Sequence, residues 1–229
     1  MQIVLIPGLM NDAWVWRHQI GALSRFAPVV VADNDGFDSL GAMAEHILSV
    51  GRGPMMVIGH SMGGRVALEV AVRAPGRVVR LGLLDTGAGG PGEAEAAGRM
   101  KLVDLARGQG MAAVAREWLP PMLAPANRVN QGLVGGITEM LERCTPDIFA
   151  GQQKALIERS DRTTFLSAIA CPTFIAAGSE DEWASPAQHG EMAEAIPNAT
   201  LRIIAGSGHM LPVEAPEALT ELLVDWLRD

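Results

Sequence analysis

Short apolar runs recur along this chain, each closed by glycine, proline or a polar turn and most followed by a stretch of helical spacing. Gln2-Ile3-Val4-Leu5-Ile6 is the first, ended by Pro7-Gly8-Leu9-Met10, and Pro28-Val29-Val30-Val31-Ala32 is the second. Met55 to Ile58 and Val78 to Leu84 continue the series, and Pro172 to Ala177 and Thr200 to Ile204 complete it. Between them, Asn11-Asp12 caps a predicted helix reaching about Ser24, and Asp38-Ser39 starts another to about Val50. The helix after Ile58 runs to Ala74-Pro75, where proline stops it. Further helices are predicted near 186–195 and from Pro216 to Leu227, the last with Leu219, Leu222, Leu223 and Trp226 on one stripe. Strands that are apolar throughout, rather than alternating, are buried on both faces. Joined by helices, they imply parallel βαβ units.

The rhythm breaks once. From Thr86 to about Ser167 no strand is evident, and helical patterns near 93–107, 110–118, 127–143 and 146–159 follow a glycine-rich entry at 87–92. About eighty residues of helix exceed any ordinary crossover, so this stretch is expected to be an insertion lying over one end of the sheet.

Composition narrows the class. With 229 residues, 48% of them hydrophobic, the chain can bury a sizeable core. A formal net charge of −8 argues against nucleic acid or an anionic membrane as partner. Cys144 and Cys171 have no metal-ligand spacing and read as reduced thiols of a cytoplasmic protein. No signal peptide is visible and no apolar run approaches bilayer length, so a soluble protein is expected.

Candidate chemistry gathers where strands end. Gly59-His60-Ser61-Met62-Gly63 closes one strand and opens a helix, the context that a G-x-S-x-G nucleophile elbow needs. Glycines around the serine remove Cβ atoms that a sharp strand-to-helix turn would crowd. Gly178-Ser179-Glu180-Asp181 follows the fifth strand and Gly206-Ser207-Gly208-His209 the sixth. The carboxyl ends of parallel strands are where active sites collect. His60 reads as support for the elbow, and His18, His46 and His189 as surface or half-buried helical residues. Trp118, Trp183 and the methionines at 100, 111, 122 and 140 are either packing or pocket lining.

Taken together, Leu5-Ile6-Pro7-Gly8, Trp16, the elbow, Cys171-Pro172-Thr173, Gly178 to Asp181, Gly208-His209 and Pro212 to Glu217 resemble the α/β-hydrolase superfamily, in its capped serine esterase branch. The resemblance implies one α/β-hydrolase domain over 1–229, with a helical cap at approximately 87–167. Its sheet would be mostly or wholly parallel and six-stranded, lacking the two strands that usually precede residue 2, with Pro28–Ala32 as one edge. That edge is expected to be shielded by a helix or by a second subunit. The implied roles are Ser61 as nucleophile, His209 as base and then acid, and Asp181 as orienting carboxylate, with Glu180 and Asp85 as rivals for the last. The backbone N–H groups of Met62 and Leu9 would form the oxyanion hole. Relatives commonly carry His-Gly where this chain has Pro7-Gly8. The implied reaction is hydrolysis of a small or medium carboxylic ester, with lactones, thioesters or C–C bonds as alternatives and a non-catalytic binding protein as the rival class. No cofactor is expected. The apolar helices imply a substrate with a hydrophobic portion, and the low charge near the motifs gives no sign of an anion clamp.

Overall fold

In the computed structural model, which describes residues 1–51 and 53–228, six strands form a wholly parallel sheet in the order β2-β1-β3-β4-β5-β6. The strands are β1 (Gln2–Ile6), β2 (Val29–Val31), β3 (Met55–His60), β4 (Val78–Leu84), β5 (Thr173–Gly178) and β6 (Ala199–Ile204). All six residues of β3 and of β5 are buried, which is why their sequences show no polar alternation. β2 is an edge, as the sequence implies, and only three residues long; such shortness limits pairing with another chain. β6 is the opposite edge and leaves several of its residues exposed.

Helices follow the strands: α1 (Ile20–Leu23), α2 (Leu40–Val50), α3 (Met62–Arg73), then α4 (Glu93–Gln109), α5 (Met111–Trp118), α6 (Gln131–Arg143) and α7 (Pro146–Ile157). After β5 come α8 (Pro186–Ala195), a short α9 (Leu211–Glu214) and α10 (Pro216–Arg228). α2 packs on α3, α1 on α10, α4 on α7 and α5 on α6. Ser39, Asn130, Thr145 and Ser185 cap α2, α6, α7 and α8 with their side chains. Residues 84–173 carry α4 to α7 and short 3-10 turns between two adjacent strands, so no crossover strand interrupts them.

One predicted helix is corrected. Residues 13–24 form not one helix but a 3-10 turn at Ala13–Trp16, capped by Asp12, and then the single turn of α1. The break lets Val15 and Trp16 enter the core while Gln19, fully buried, donates to the Pro212 carbonyl at 3.1 Å. Among the described residues no helix is long and apolar enough to cross a membrane.

Candidate active site

Ser61 sits between β3 and α3 with φ 55° and ψ −117°, a conformation that costs a non-glycine residue about 1–3 kcal/mol. Close backbone approach on both sides enforces it. A Cβ on Gly59 would lie 2.1 Å from the Gly63 carbonyl oxygen, and one on Gly63 would lie 2.1 Å from that of Ile6. The Thr86 hydroxyl donates to the Ser61 carbonyl at 2.7 Å and closes the turn from the β4 side.

Two loops bring the candidate partners to it. Ser61 Oγ is 2.7 Å from His209 Nε2, and His209 Nδ1 is 2.8 Å from Asp181 Oδ2. A carboxylate beside Nδ1 fixes the proton there, which leaves Nε2 free to accept from the serine hydroxyl. The other Asp181 oxygen accepts from the Trp183 and Ala184 amides at 2.8 and 3.0 Å. Burial alone raises this carboxyl's pKa, but the His209 ring and these two amides outweigh burial and hold it below the usual range. Glu180 is exposed and its side chain pairs with neither Ser61 nor His209.

Asp85, the other rival, is fully buried elsewhere. Its two oxygens accept from the Gly178 amide at 3.0 Å and the Leu211 amide at 3.1 Å, tying β4 to the loops that carry Asp181 and His209. Burial first, and the Asp181 charge second, push its pKa well up. His60 faces it at 3.5 Å and is itself depressed to about 4, chiefly by burial. His60 supports more than the elbow: its Nε2–H donates to the His209 carbonyl at 2.7 Å.

Several contributors went unseen in the sequence. Glu214 accepts from the amides of Gly208 and Met210, on either side of His209, at 3.0 Å each. Its second oxygen accepts from the Ala124 amide and the Asn127 side chain, and the His209 amide donates to the Met122 carbonyl. The base loop is thus fastened to the stretch between α5 and α6. His189, expected near the surface, is fully buried: Nε2 accepts from the Thr86 amide at 3.0 Å and Nδ1 donates to the Ser185 carbonyl. Glu214 had a visible signal, a carboxylate a few positions after His209 in the same closing segment; His189 had none.

A cavity of about 690 Å³ opens over Ser61 and His209, lined also by Leu9 and Met62. The Met62 amide, at the start of α3, and the Leu9 amide make no hydrogen bond to any described residue. Of the aromatic and sulfur residues in question, Trp118, Met122 and Trp183 line this cavity, Met111 and Met140 pack in the core, and Met100 is exposed. The expectation of low charge fails. Arg65, Arg99 and Arg159 line the same cavity, with Glu95 among them; they come from α3, α4 and the turn after α7. Burial raises the Glu95 pKa, but hydrogen bonds from Arg159 and Arg99 overcome it and bring it to about 2.

Residues 3–222 match the profile of the alpha/beta hydrolase family. The chain belongs to that family. A protein of Caulobacter sp. (strain K31) with the provisional name carbamate hydrolase RutD is 26% identical over 243 residues, covering 98% of this chain and 90% of its own. A thermophilic esterase from Thermogutta terrifontis, solved with malate bound, superposes with a TM-score of 0.92 at 26% identity, covering 100% of this chain and 89% of that one. The enol-lactonase from Burkholderia xenovorans LB400 superposes at 0.90 with 24% identity over 100% and 91% of the two chains, a likeness of fold. This α/β-hydrolase is accordingly an enzyme, and its relatives hydrolyse more than one kind of bond.

Proposed function

We propose that this hydrolase cleaves a small or medium carboxylic ester through an acyl-enzyme, with Ser61 as nucleophile, His209 as base and Asp181 as orienting carboxylate. The observation that carries the reading is the unbroken chain from Ser61 Oγ through the His209 ring to Asp181, opening into a cavity of substrate size. The Ser61 proton passes to His209 Nε2 as Oγ bonds to the ester carbon. The carbonyl oxygen becomes anionic and accepts from the Met62 and Leu9 amides, each such donor being worth about 2.7–4 kcal/mol in the transition state. Collapse expels the alkoxide, which takes the proton from His209. Water then repeats the sequence, and Ser61 leaves as the free hydroxyl with the acid released.

In this reading the helices between β4 and β5 act as a cap, and Trp118, Met122, Leu156 and Trp183 receive an apolar portion of the substrate. The His60–Asp85 pair and Glu214 position the base without touching the substrate. The same groups would open a lactone, thioester or activated C–C bond; the ester is the reading that needs no further group. Turnover of nitrophenyl butyrate tests it. Ser61→Ala should lower kcat by on the order of 10⁶-fold and abolish fluorophosphonate labelling. Retention of either by the variant would remove Ser61 from the reaction.

A further inference from the structure

The three arginines in the cavity wall are unequally matched. Arg159 is saturated: Nη1 and Nη2 pair with the two Glu95 oxygens at 2.7 and 2.8 Å, and carbonyls of Gly89, Gly90 and Leu156 take the remaining donors. Arg99 also uses Glu95, at 2.8 Å, and Gln153. One carboxylate therefore serves two guanidiniums. Arg65 is left with a single hydrogen bond, Nη1 to the Gly89 carbonyl at 2.7 Å, and Arg159 shares even that oxygen at 3.1 Å. Its Nε and Nη2 meet no acceptor among the described residues.

No carboxylate forms an ion pair with it among the described residues. Asp85 is committed to the Gly178 and Leu211 amides. Asp161 gives one oxygen to the Thr163 amide and hydroxyl, and its charge reaches Arg65 only at longer range. Glu191, the other acid of the cavity wall, is exposed on α8 and makes no ion pair with Arg65. Burial first, and the Arg159 charge next, push the Arg65 pKa down to about 9, which leaves it cationic at pH 7. A half-buried cation beside like charges, without a counter-ion of its own, is costly unless an anion from outside completes it.

Its place says where that anion would sit. Arg65 lies in the first turn of α3, the helix that Ser61 opens. Both line the cavity. The unused Nε–Nη2 edge is a planar pair of donors, the shape that matches the two oxygens of a carboxylate.

We propose that Arg65 binds a carboxylate of the substrate, so that the hydrolase prefers esters or lactones bearing a carboxylate a few bonds from the reacting carbonyl. This deepens the acyl-transfer reading and rests on it for the reaction, although not for the binding.

Two matched substrate pairs followed by pH-stat test it: monomethyl glutarate against methyl pentanoate, and acetoxybutyrate against butyl acetate, so that the acid is carried on the acyl or on the alcohol side. In the unmodified enzyme one acid should be preferred in kcat/KM by more than about tenfold. Arg65→Gln should lower that ratio by about 100-fold. Arg65→Lys, which keeps the charge and loses the fork, should restore part of it. Calorimetry of glutarate dianion binding to Ser61→Ala, with and without Arg65→Gln, reads the same site without turnover. Glutarate binding that requires Arg65 upholds the proposal even if no ester is cleaved. Equal turnover of acid and neutral esters, or an acid preference that survives Arg65→Gln, overturns it while leaving the hydrolase reading intact.

Discussion

On the sheet side of the cavity, Ser61 and the loops bearing Asp181 and His209 are fixed by close backbone approach, reinforced by the Asp85 and Glu214 carboxylates. On the helical side, Arg99, Arg159 and Glu95 are held through their own long side chains, to one another, to Gln153 and to the Gly89, Gly90 and Leu156 carbonyls. Gly59, Gly63, Gly178 and Gly208 all stand where a Cβ would come within 2.6 Å of another main-chain atom. No rotamer change relieves such a clash, so the position of the Ser61 backbone is set by covalent geometry. The helical side has no comparable approach around Glu95: its partners reach it through long, flexible guanidinium arms. One wall is suited to a fixed reaction, and the other can change its recognition by exchanging side chains.

Breaking the sheet side should have the largest effect. Gly59→Ala pushes a methyl group into the Gly63 carbonyl, across the turn that holds Ser61. A loss of at least about 3 kcal/mol in denaturant unfolding is expected, from overpacking that has no side chain to displace. Turnover should fall with it, because the elbow itself must shift. Unaltered stability and activity would mean that the crossing of β3 and α3 is looser than these distances state.

The helical side should break more gently and without disturbing Ser61. Glu95→Gln leaves the Arg159 guanidinium, whose side chain is 5% exposed, beside Arg99 with no carboxylate between them. Glu95 is itself 24% exposed, so some water remains to soften the loss, and about 2–3 kcal/mol is expected. Labelling of Ser61 by a fluorophosphonate should persist in the folded variant, which separates the two walls experimentally.

Sequence patterning carried the sheet side well and the helical side poorly, for a physical reason. Buried parallel strands must be apolar throughout, and their turns need glycine, so β1, β3, β4 and β5 and the elbow are visible as local runs. The α4 to α7 helices are visible too, each by its own spacing. What joins them is not local. Arg65 meets Gly89 and Arg159 meets Glu95 across separations of 24 and 64 residues, and no window of sequence displays that. His189 is missed likewise, because its burial comes from the Thr86 amide of another strand's end. Of the cavity's charged residues, Asp85 is legible at the end of its strand, whereas Arg65, Glu95, Arg99 and Arg159 are not.

The last expected effect appears only as the solution is acidified and concerns the buried His60–Asp85 pair beneath the His209 loop. His60 is depressed to about 4, so its neutral form in the fold loses stability relative to the unfolded chain as pH falls from the ordinary histidine range towards 4. Asp85 is raised, so its contribution has the opposite sign and grows as pH falls. Within one buried pair the two contributions oppose each other. Asp85→Asn removes one of them. Its unfolding free energy should then fall more steeply than the parent's as pH drops below 6.5, by at most about 1.4 kcal/mol per pH unit. Chemical denaturation at pH 7.0, 6.0 and 5.0, about a unit apart, measures that slope. A variant that runs parallel to the parent would mean that the fold takes up no extra proton through Asp85 over this range.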